Sequence, residues 1–154
     1  MYPWSHFIFA YLIGLTVSKI GLLTYNEALI IGVLAVLIDL DHYIGFIKDM
    51  RFKDLKLKDA WNNSSYYHKF QERTFIHHRV GIMIITMLVL ILILFQQNLL
   101  VLIISIAYYS HLLLDYVHVS IMNTKTLKIK EEGFIVNVTY GEIIFDIVVV
   151  GLIM

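Results

Sequence analysis

The chain has no cysteine, little proline and few charged residues. Among its 154 residues there is one proline and no cysteine. This composition excludes disulfide bonds and thiolate metal ligands. A metal site would therefore use imidazole and carboxylate groups, which suit zinc, manganese or iron. Lysine and arginine number 12 and aspartate and glutamate number 12, so the net charge is +0. Such a balance does not predict binding to nucleic acid.

Apolar residues make up 59% of the sequence, while charged residues make up 16%. A soluble domain carries about 25% charged residues. The mean hydropathy is +0.76, and the apolar residues form long runs, as expected for a chain surrounded by lipid. The apolar runs predict membrane helices at about 6–23, 28–47, 80–95 and 99–117. Because no basic flank and no small-residue cleavage site accompany the first run, we expect a retained membrane helix there rather than a signal peptide.

The remaining segments complete one domain over residues 1–154. Residues 48–76 mix basic, acidic and aromatic side chains, which predicts an interfacial amphipathic connection. Period-two alternation at 126–130 and 134–138 predicts a small β-hairpin. Thr139 and Glu142 form a capping-box pattern that opens a last apolar helix, 140–154, which is re-entrant, tilted or partly inserted. The predicted fold is all-α, a polytopic transmembrane bundle of four or five helices with a hairpin near the C-terminus.

The basic residues predict how the chain is oriented in the membrane. The connection between the second and third runs, 48–79, carries eight lysines and arginines, whereas Lys19, near the end of the first run, is the only basic residue close to the other two connections. The positive-inside rule then places the N-terminus and the long connection on the cytoplasmic side of the inner membrane. All the candidate ligands described next fall at the cytoplasmic ends of their predicted helices, which indicates one site.

Histidine and aspartate recur at the spacing of one helical turn. His111 and Asp115 are separated by four residues, so they share a helix face and are suited to bind one ion. The alternative is a hydrogen bond between them that locks two helices together. Asp39 and His42 also share a face. Asp41 points away from them. It is predicted either to bind a second ion or to orient an imidazole.

The remaining candidates stand at helix starts. His77 and His78 are adjacent, so one of them faces the bundle and the other meets the interface. Arg79 either reaches toward the interface or binds phosphate. His6 follows Trp4, and by itself it would be an interfacial histidine. Asp146, in the apolar last helix, is a weaker candidate, since ionisable residues at membrane depth mark functional sites.

The ordered set of these motifs resembles a known family. The motifs are His6 in the first helix, Asp39-Leu-Asp-His42 at the end of the second, Glu72 to His78 before the third, and His111-Leu-Leu-Leu-Asp115 in the fourth. Together they resemble the membrane-bound, predicted metal-dependent hydrolases, which are thought to be distant relatives of zinc-dependent phospholipase C and P1 nuclease. The resemblance implies a zinc site built from His, Asp and Glu. In this comparison Glu72 stands where the family has a histidine and His78 where it has a serine.

The sequence thus predicts a membrane-bound metal-dependent hydrolase that acts on a phosphoester of a lipid or lipid-linked substrate at the cytoplasmic face. Asp41 is the candidate base or orienting group, and Arg73 or Arg79 would bind phosphate. The predicted ligands of the metal, zinc or else manganese or iron, are His6, Asp39, His42, Glu72, His77, His78, His111 and Asp115. Three alternatives remain open: a transition-metal transporter, a di-iron oxidase using His111, Asp115 and His118, and a partner-binding protein without enzymatic activity.

Overall fold

The computed structural model describes residues 3–40, 75–121, 126–131 and 134–154. These residues are mostly helical, as predicted. In chain order they form α1 (Pro3–Lys19), α2 (Tyr25–Leu37), a 3₁₀ turn (Phe75–His77), α3 (Arg79–Leu94), α4 (Asn98–Ile121), β1 (Thr126–Glu131), β2 (Phe134–Thr139) and α5 (Tyr140–Ile153). The predicted interfacial connection, 48–76, lies outside the described residues except for its last two positions.

Helix α2 begins and ends earlier than the apolar run predicts. Its start is a capping box: the Thr24 hydroxyl accepts the Glu27 N–H at 3.3 Å, and the Glu27 carboxylate accepts the Thr24 N–H at 2.6 Å. The helix ends at Leu37, and the Asp39 N–H donates to the Val36 carbonyl at 3.0 Å in the turn that follows. The helix therefore starts three residues before the predicted position 28, and the predicted end at 47 lies outside the described residues. Asp39 is placed by a turn, not by a helix interior.

Helices α1 and α2 pack closely through small side chains. A Cβ added at Gly14 would lie 2.9 Å from the Ala28 Cα, and one added at Gly32 would lie 2.9 Å from the Phe7 ring. Ile103 and Ala107 of α4 belong to the same buried core as residues of α1 and α2. This packing holds three helices together and aligns their ends on one side, where the candidate ligands lie.

The C-terminal segment forms the predicted hairpin and helix. Strands β1 and β2 are antiparallel, with Thr126 opposite Thr139 and Glu131 opposite Phe134. The Thr139 hydroxyl accepts the Glu142 N–H at 3.1 Å and thereby caps α5. Helix α5 packs against α1, where the rings of Phe9 and Phe145 are 5.6 Å apart.

Within the described part of the chain, one helix is long and apolar enough to cross a membrane, over residues Asn98–Val117 of α4. Helices α2 and α3, Tyr25–Leu37 and Arg79–Leu94, are apolar but shorter. The 13 residues of α2 would extend about 20 Å at 1.5 Å per residue, less than a hydrocarbon core of about 30 Å. The described residues are therefore mostly helical and include one helix of spanning length, whereas the apolar runs predict four spans.

Candidate metal centre

Five side chains from four parts of the chain converge at one end of the helices. His6 lies in the first turns of α1, Asp39 in the turn after α2, and His77 at the end of the 3₁₀ turn, while His111 and Asp115 lie one turn apart in α4. All five are among the predicted ligands. We refer to this group of three histidines and two aspartates as the His/Asp cluster.

Two imidazoles and one carboxylate form the first half of the cluster. The Nε2 atoms of His77 and His111 are 2.9 Å apart. Oδ2 of Asp115 lies 3.5 Å from Nε2 of His77 and 3.7 Å from Nε2 of His111. Thus the predicted pair His111 and Asp115 lies on one face of α4, and a third donor comes from the segment that precedes α3.

His6 and Asp39 complete the cluster from α1 and from the end of α2. Nε2 of His6 lies 3.3 Å from Oδ1 of Asp115 and 3.9 Å from Oδ2 of Asp39. Oδ1 of Asp39 is 3.5 Å from Nε2 of His111. The imidazoles of His6 and His111 are stacked, with ring centroids 3.9 Å apart. Each aspartate therefore lies near the Nε2 atoms of two or more histidines.

These distances suit donors that share one cation. In a tetrahedral zinc site with metal–ligand bonds of about 2.0–2.1 Å, neighbouring donor atoms are roughly 3.3 Å apart. Two sets of donor atoms lie within 4.8 Å of one another, His6 with His111 and Asp115, and Asp39 with His77 and His111. Both sets contain His111, whose Nε2 has a single lone pair. The two sets therefore could not hold two ions at once through this atom.

A backbone hydrogen bond determines which nitrogen of His111 is free to bind an ion. Nδ1 of His111 lies 2.8 Å from the carbonyl oxygen of Ala35. Because a carbonyl only accepts, Nδ1 carries the proton and donates it. The lone pair is on Nε2, which in this tautomer accepts from Nε2–H of His77 at 2.9 Å. Histidines that ligate metals generally donate their other N–H in this way, which fixes both tautomer and ring orientation.

The histidines are buried, whereas the aspartates are partly open to the outside. Both ring nitrogens of His6 are buried, and neither meets the geometry of a hydrogen bond among the described residues, although Nε2 lies 3.3 Å from Oδ1 of Asp115. A buried polar atom with incomplete hydrogen bonding costs free energy, so a further partner at the ring would be stabilising. The side chains of Asp39 and Asp115 are each 17% exposed. The imidazoles are therefore buried, whereas the aspartate side chains are partly exposed, although Oδ2 of Asp39 is buried.

The other predicted site residues are not part of the cluster in the described structure. His78 is exposed at the N-terminal end of α3, and Arg79, the first residue of that helix, is exposed as well. Of the two adjacent histidines it is His77 that faces inward, because consecutive residues cannot share a direction. The predictions for Asp41, His42, Glu72 and Arg73 fall outside the described residues, and so does the one for the side chain of His118.

A second buried polar contact, which the sequence analysis missed, joins α1 to α5 beside the cluster. Oγ of Ser5 lies 2.9 Å from Oε1 of Glu142 and 3.0 Å from Oδ2 of Asp146. Glu142 is buried, and Ser5 directly precedes His6. The spacing of Glu142 and Asp146 on one face of an apolar helix was the available signal. Nothing local to Ser5 distinguishes it from other serines.

Comparison with known proteins assigns the chain to a family. Residues 1–123 match the family described as YdjM inner membrane protein. No curated protein sequence and no solved structure matches the chain significantly.

The predicted membership of the metal-dependent hydrolases related to phospholipase C and P1 nuclease is therefore wrong. That resemblance relied on short His and Asp motifs, which any helix bundle with a buried polar cluster can contain. The hairpin and α5 lie beyond the matched residues. Since the match covers most of the sequence, the chain belongs to the YdjM inner membrane protein family.

Proposed function

We propose that this membrane protein binds one divalent transition metal through the His/Asp cluster. The observation that carries the proposal is the convergence of three Nε2 atoms and two carboxylates, with His111 held by Ala35 in the tautomer that presents its Nε2 lone pair. The two carboxylates of the cluster bring negative charge into a largely buried place. A divalent cation would neutralise it.

Zinc is the metal that this donor set suits best. Imidazole nitrogen and carboxylate oxygen are usual zinc ligands, and the 2.9–3.9 Å separations of donor atoms bracket the spacing of a tetrahedral site. Manganese and iron accept the same donors, so they compete in the test. His42 and Glu72 remain predicted ligands, and Asp41 remains a predicted base or orienting group.

We further propose that the metal serves hydrolysis of a phosphoester in a lipid or lipid-linked substrate. Catalytic zinc sites keep one coordination position open, whereas structural sites are closed. The partial exposure of Asp39 and Asp115 supports an open position of this kind. When bound there, zinc supplies Lewis acidity and lowers the pKa of a bound water to about 7.

The position of the cluster supports a substrate at the membrane surface. His6 lies near the start of α1, Asp39 directly after α2 and His77 directly before α3, so three of the five groups are at helix ends. The other two, His111 and Asp115, lie in the C-terminal half of the apolar stretch Asn98–Val117. The distribution of basic residues favours the cytoplasmic face. Arg73 and Arg79 remain the predicted phosphate-binding groups. A transporter would need ligands spread across the membrane, so this concentration at one end favours hydrolysis.

The first test is the metal content of the detergent-purified protein. We expect about one equivalent of zinc in the wild type and none in His111→Ala, since one imidazole Nε2 belongs to both sets of donors. His78→Ala is the matched control, because it removes an exposed histidine next to His77, and it should retain the metal. A wild type that neither contains nor takes up zinc, manganese or iron would refute the proposed centre.

The second test addresses hydrolysis separately. The zinc-loaded protein is incubated with a chromogenic phosphodiester and with phospholipid vesicles, and release of the phosphate-containing product is measured. Activity in the wild type and in His78→Ala, but not in His111→Ala, is the expected result. If the wild type binds zinc and cleaves neither substrate, the hydrolytic role is wrong while the metal centre stands.

A further inference from the structure

We infer that Tyr108 is a positioning residue for the metal ligand His77. This inference rests on the proposed metal centre and names a residue that acts on it from outside the ligand set. The Tyr108 hydroxyl is not one of the donor atoms of the His/Asp cluster. It instead holds the short turn that carries His77.

The contact is a single short hydrogen bond to the backbone. The Tyr108 hydroxyl donates to the carbonyl oxygen of Ile76 at 2.7 Å, and Tyr108 is only 3% exposed. Ile76 lies in the 3₁₀ turn Phe75–His77, directly before His77. Such a turn is short and its last carbonyls have no helical partner, so a side-chain donor is needed to fix it. Tyr108 provides that donor.

The same helix carries both the donor and another ligand. Tyr108 and His111 are three residues apart in α4, so they lie on neighbouring positions of one helix face. Fixing the Ile76 carbonyl to Tyr108 therefore fixes the His77 segment relative to His111. It thereby supports the 2.9 Å contact between the Nε2 atoms of these two histidines, which lie on different segments.

The next residue in the chain provides a matched control. The Tyr109 hydroxyl lies 2.7 Å from Oγ1 of Thr86 in α3, and Tyr109 is 38% exposed. Tyr108→Phe and Tyr109→Phe each remove one hydroxyl that links α4 to another segment, and both keep the aromatic ring. They differ in whether the lost hydrogen bond involves the turn that carries His77.

The experiment is a Co²⁺ titration of the full-length, detergent-purified chain, followed by visible absorbance. The d–d bands report the number and geometry of the ligands, which a loss of stability alone would not change. We expect Tyr108→Phe to weaken Co²⁺ binding about 10–100-fold, as removal of a supporting hydrogen bond does in other metal sites, with a spectrum shifted toward that of His77→Ala. Tyr109→Phe should keep the wild-type affinity and spectrum.

A double variant shows whether Tyr108 acts through His77. If it does, adding Tyr108→Phe to His77→Ala causes no further loss of affinity. Tyr109→Phe is added to His77→Ala in the same way and reports the general effect of losing a hydroxyl. The comparison therefore remains informative if the single Tyr108→Phe variant is poorly folded.

The outcomes separate this inference from the proposed centre. If the wild type binds Co²⁺ and Tyr108→Phe matches Tyr109→Phe in affinity and spectrum, the positioning role is refuted and the centre stands. The positioning role is also refuted if the losses of Co²⁺ affinity from the two substitutions multiply in the double variant. If the wild type binds neither Co²⁺ nor Zn²⁺, the centre itself is refuted and the role of Tyr108 with it.

Discussion

Replacing Gly14 by alanine is expected to destabilise the protein, because α1 and α2 are in contact at this residue. An added Cβ would lie 2.9 Å from the Cα of Ala28 and 3.0 Å from its Cβ. Ordinary carbon–carbon contacts are about 3.5–4.0 Å. The atom in the way belongs to the backbone of α2, so relief requires the two helices to move apart, not a side chain to rotate.

The magnitude follows from two opposing terms. Overpacking of this kind costs about 1–3 kcal/mol. Alanine is a better helix former than glycine by up to about 1 kcal/mol, which offsets part of the cost. Gly151→Ala in α5 is the matched control, because nothing lies within 4 Å of a Cβ added there. The difference in unfolding free energy between the two variants should therefore be about 1–3 kcal/mol, with Gly14→Ala the less stable.

The assay is equilibrium unfolding in mixed micelles with increasing SDS, followed by far-UV circular dichroism. Gly32→Ala should fall between the other two variants, because its added Cβ meets the ring of Phe7, which is able to shift. If Gly14→Ala is as stable as Gly151→Ala, then α1 and α2 do not approach as closely as the structure shows. The alignment of His6 with Asp39 would then lose its support.

Three further predictions use the same preparations. Thr24→Ala removes the N-cap of α2 and should lower the unfolding free energy by about 1 kcal/mol. Thr16→Ala is the control and should change it little, because the exposed Thr16 hydroxyl bonds within its own helix. Equal losses in the two variants would count against the cap. Ser5→Ala removes a buried donor to Glu142 and should cost about 1–3 kcal/mol; an unchanged unfolding midpoint would contradict the contact. EDTA should lower the melting temperature of the zinc-loaded wild type but not that of His111→Ala. The reason is that a metal at 100 times its Kd stabilises the folded protein by about 2.7 kcal/mol. An equal effect on both proteins would contradict the proposed centre.

Several features of the fold could be predicted because they depend on local sequence. Apolar runs predict helices, and the alternation at 126–130 and 134–138 predicts strands that the structure pairs as β1 and β2. Helix ends were harder. Thr24 and Glu27 form the same capping pattern as Thr139 and Glu142, but at a break between two apolar runs, and the predicted start at 28 overlooked it. Hydrophobicity does not mark where a cap begins a helix.

The candidate site could also be predicted in part from the sequence. Ionisable side chains in apolar helices are costly unless they meet one another, so His6, Asp39, His111 and Asp115 were expected to converge, and in the structure they do. Spacing also showed that His77 and His78 could not both face the bundle. It could not show which of them does, since that choice depends on how the turn before α3 is held against α4.

The sequence by itself therefore determined the class of protein and the chemistry available to it. Apolar runs indicate a helical membrane chain, and the absence of cysteine restricts metal ligands to imidazole and carboxylate. Only the tertiary structure decided which groups meet: the Ala35 carbonyl on His111, the Tyr108 hydroxyl on the turn of His77, and Ser5 on Glu142, which is 137 residues away in sequence. Periodicity defines the faces of one helix, but the partner of each face depends on how distant segments pack, and no local pattern records that.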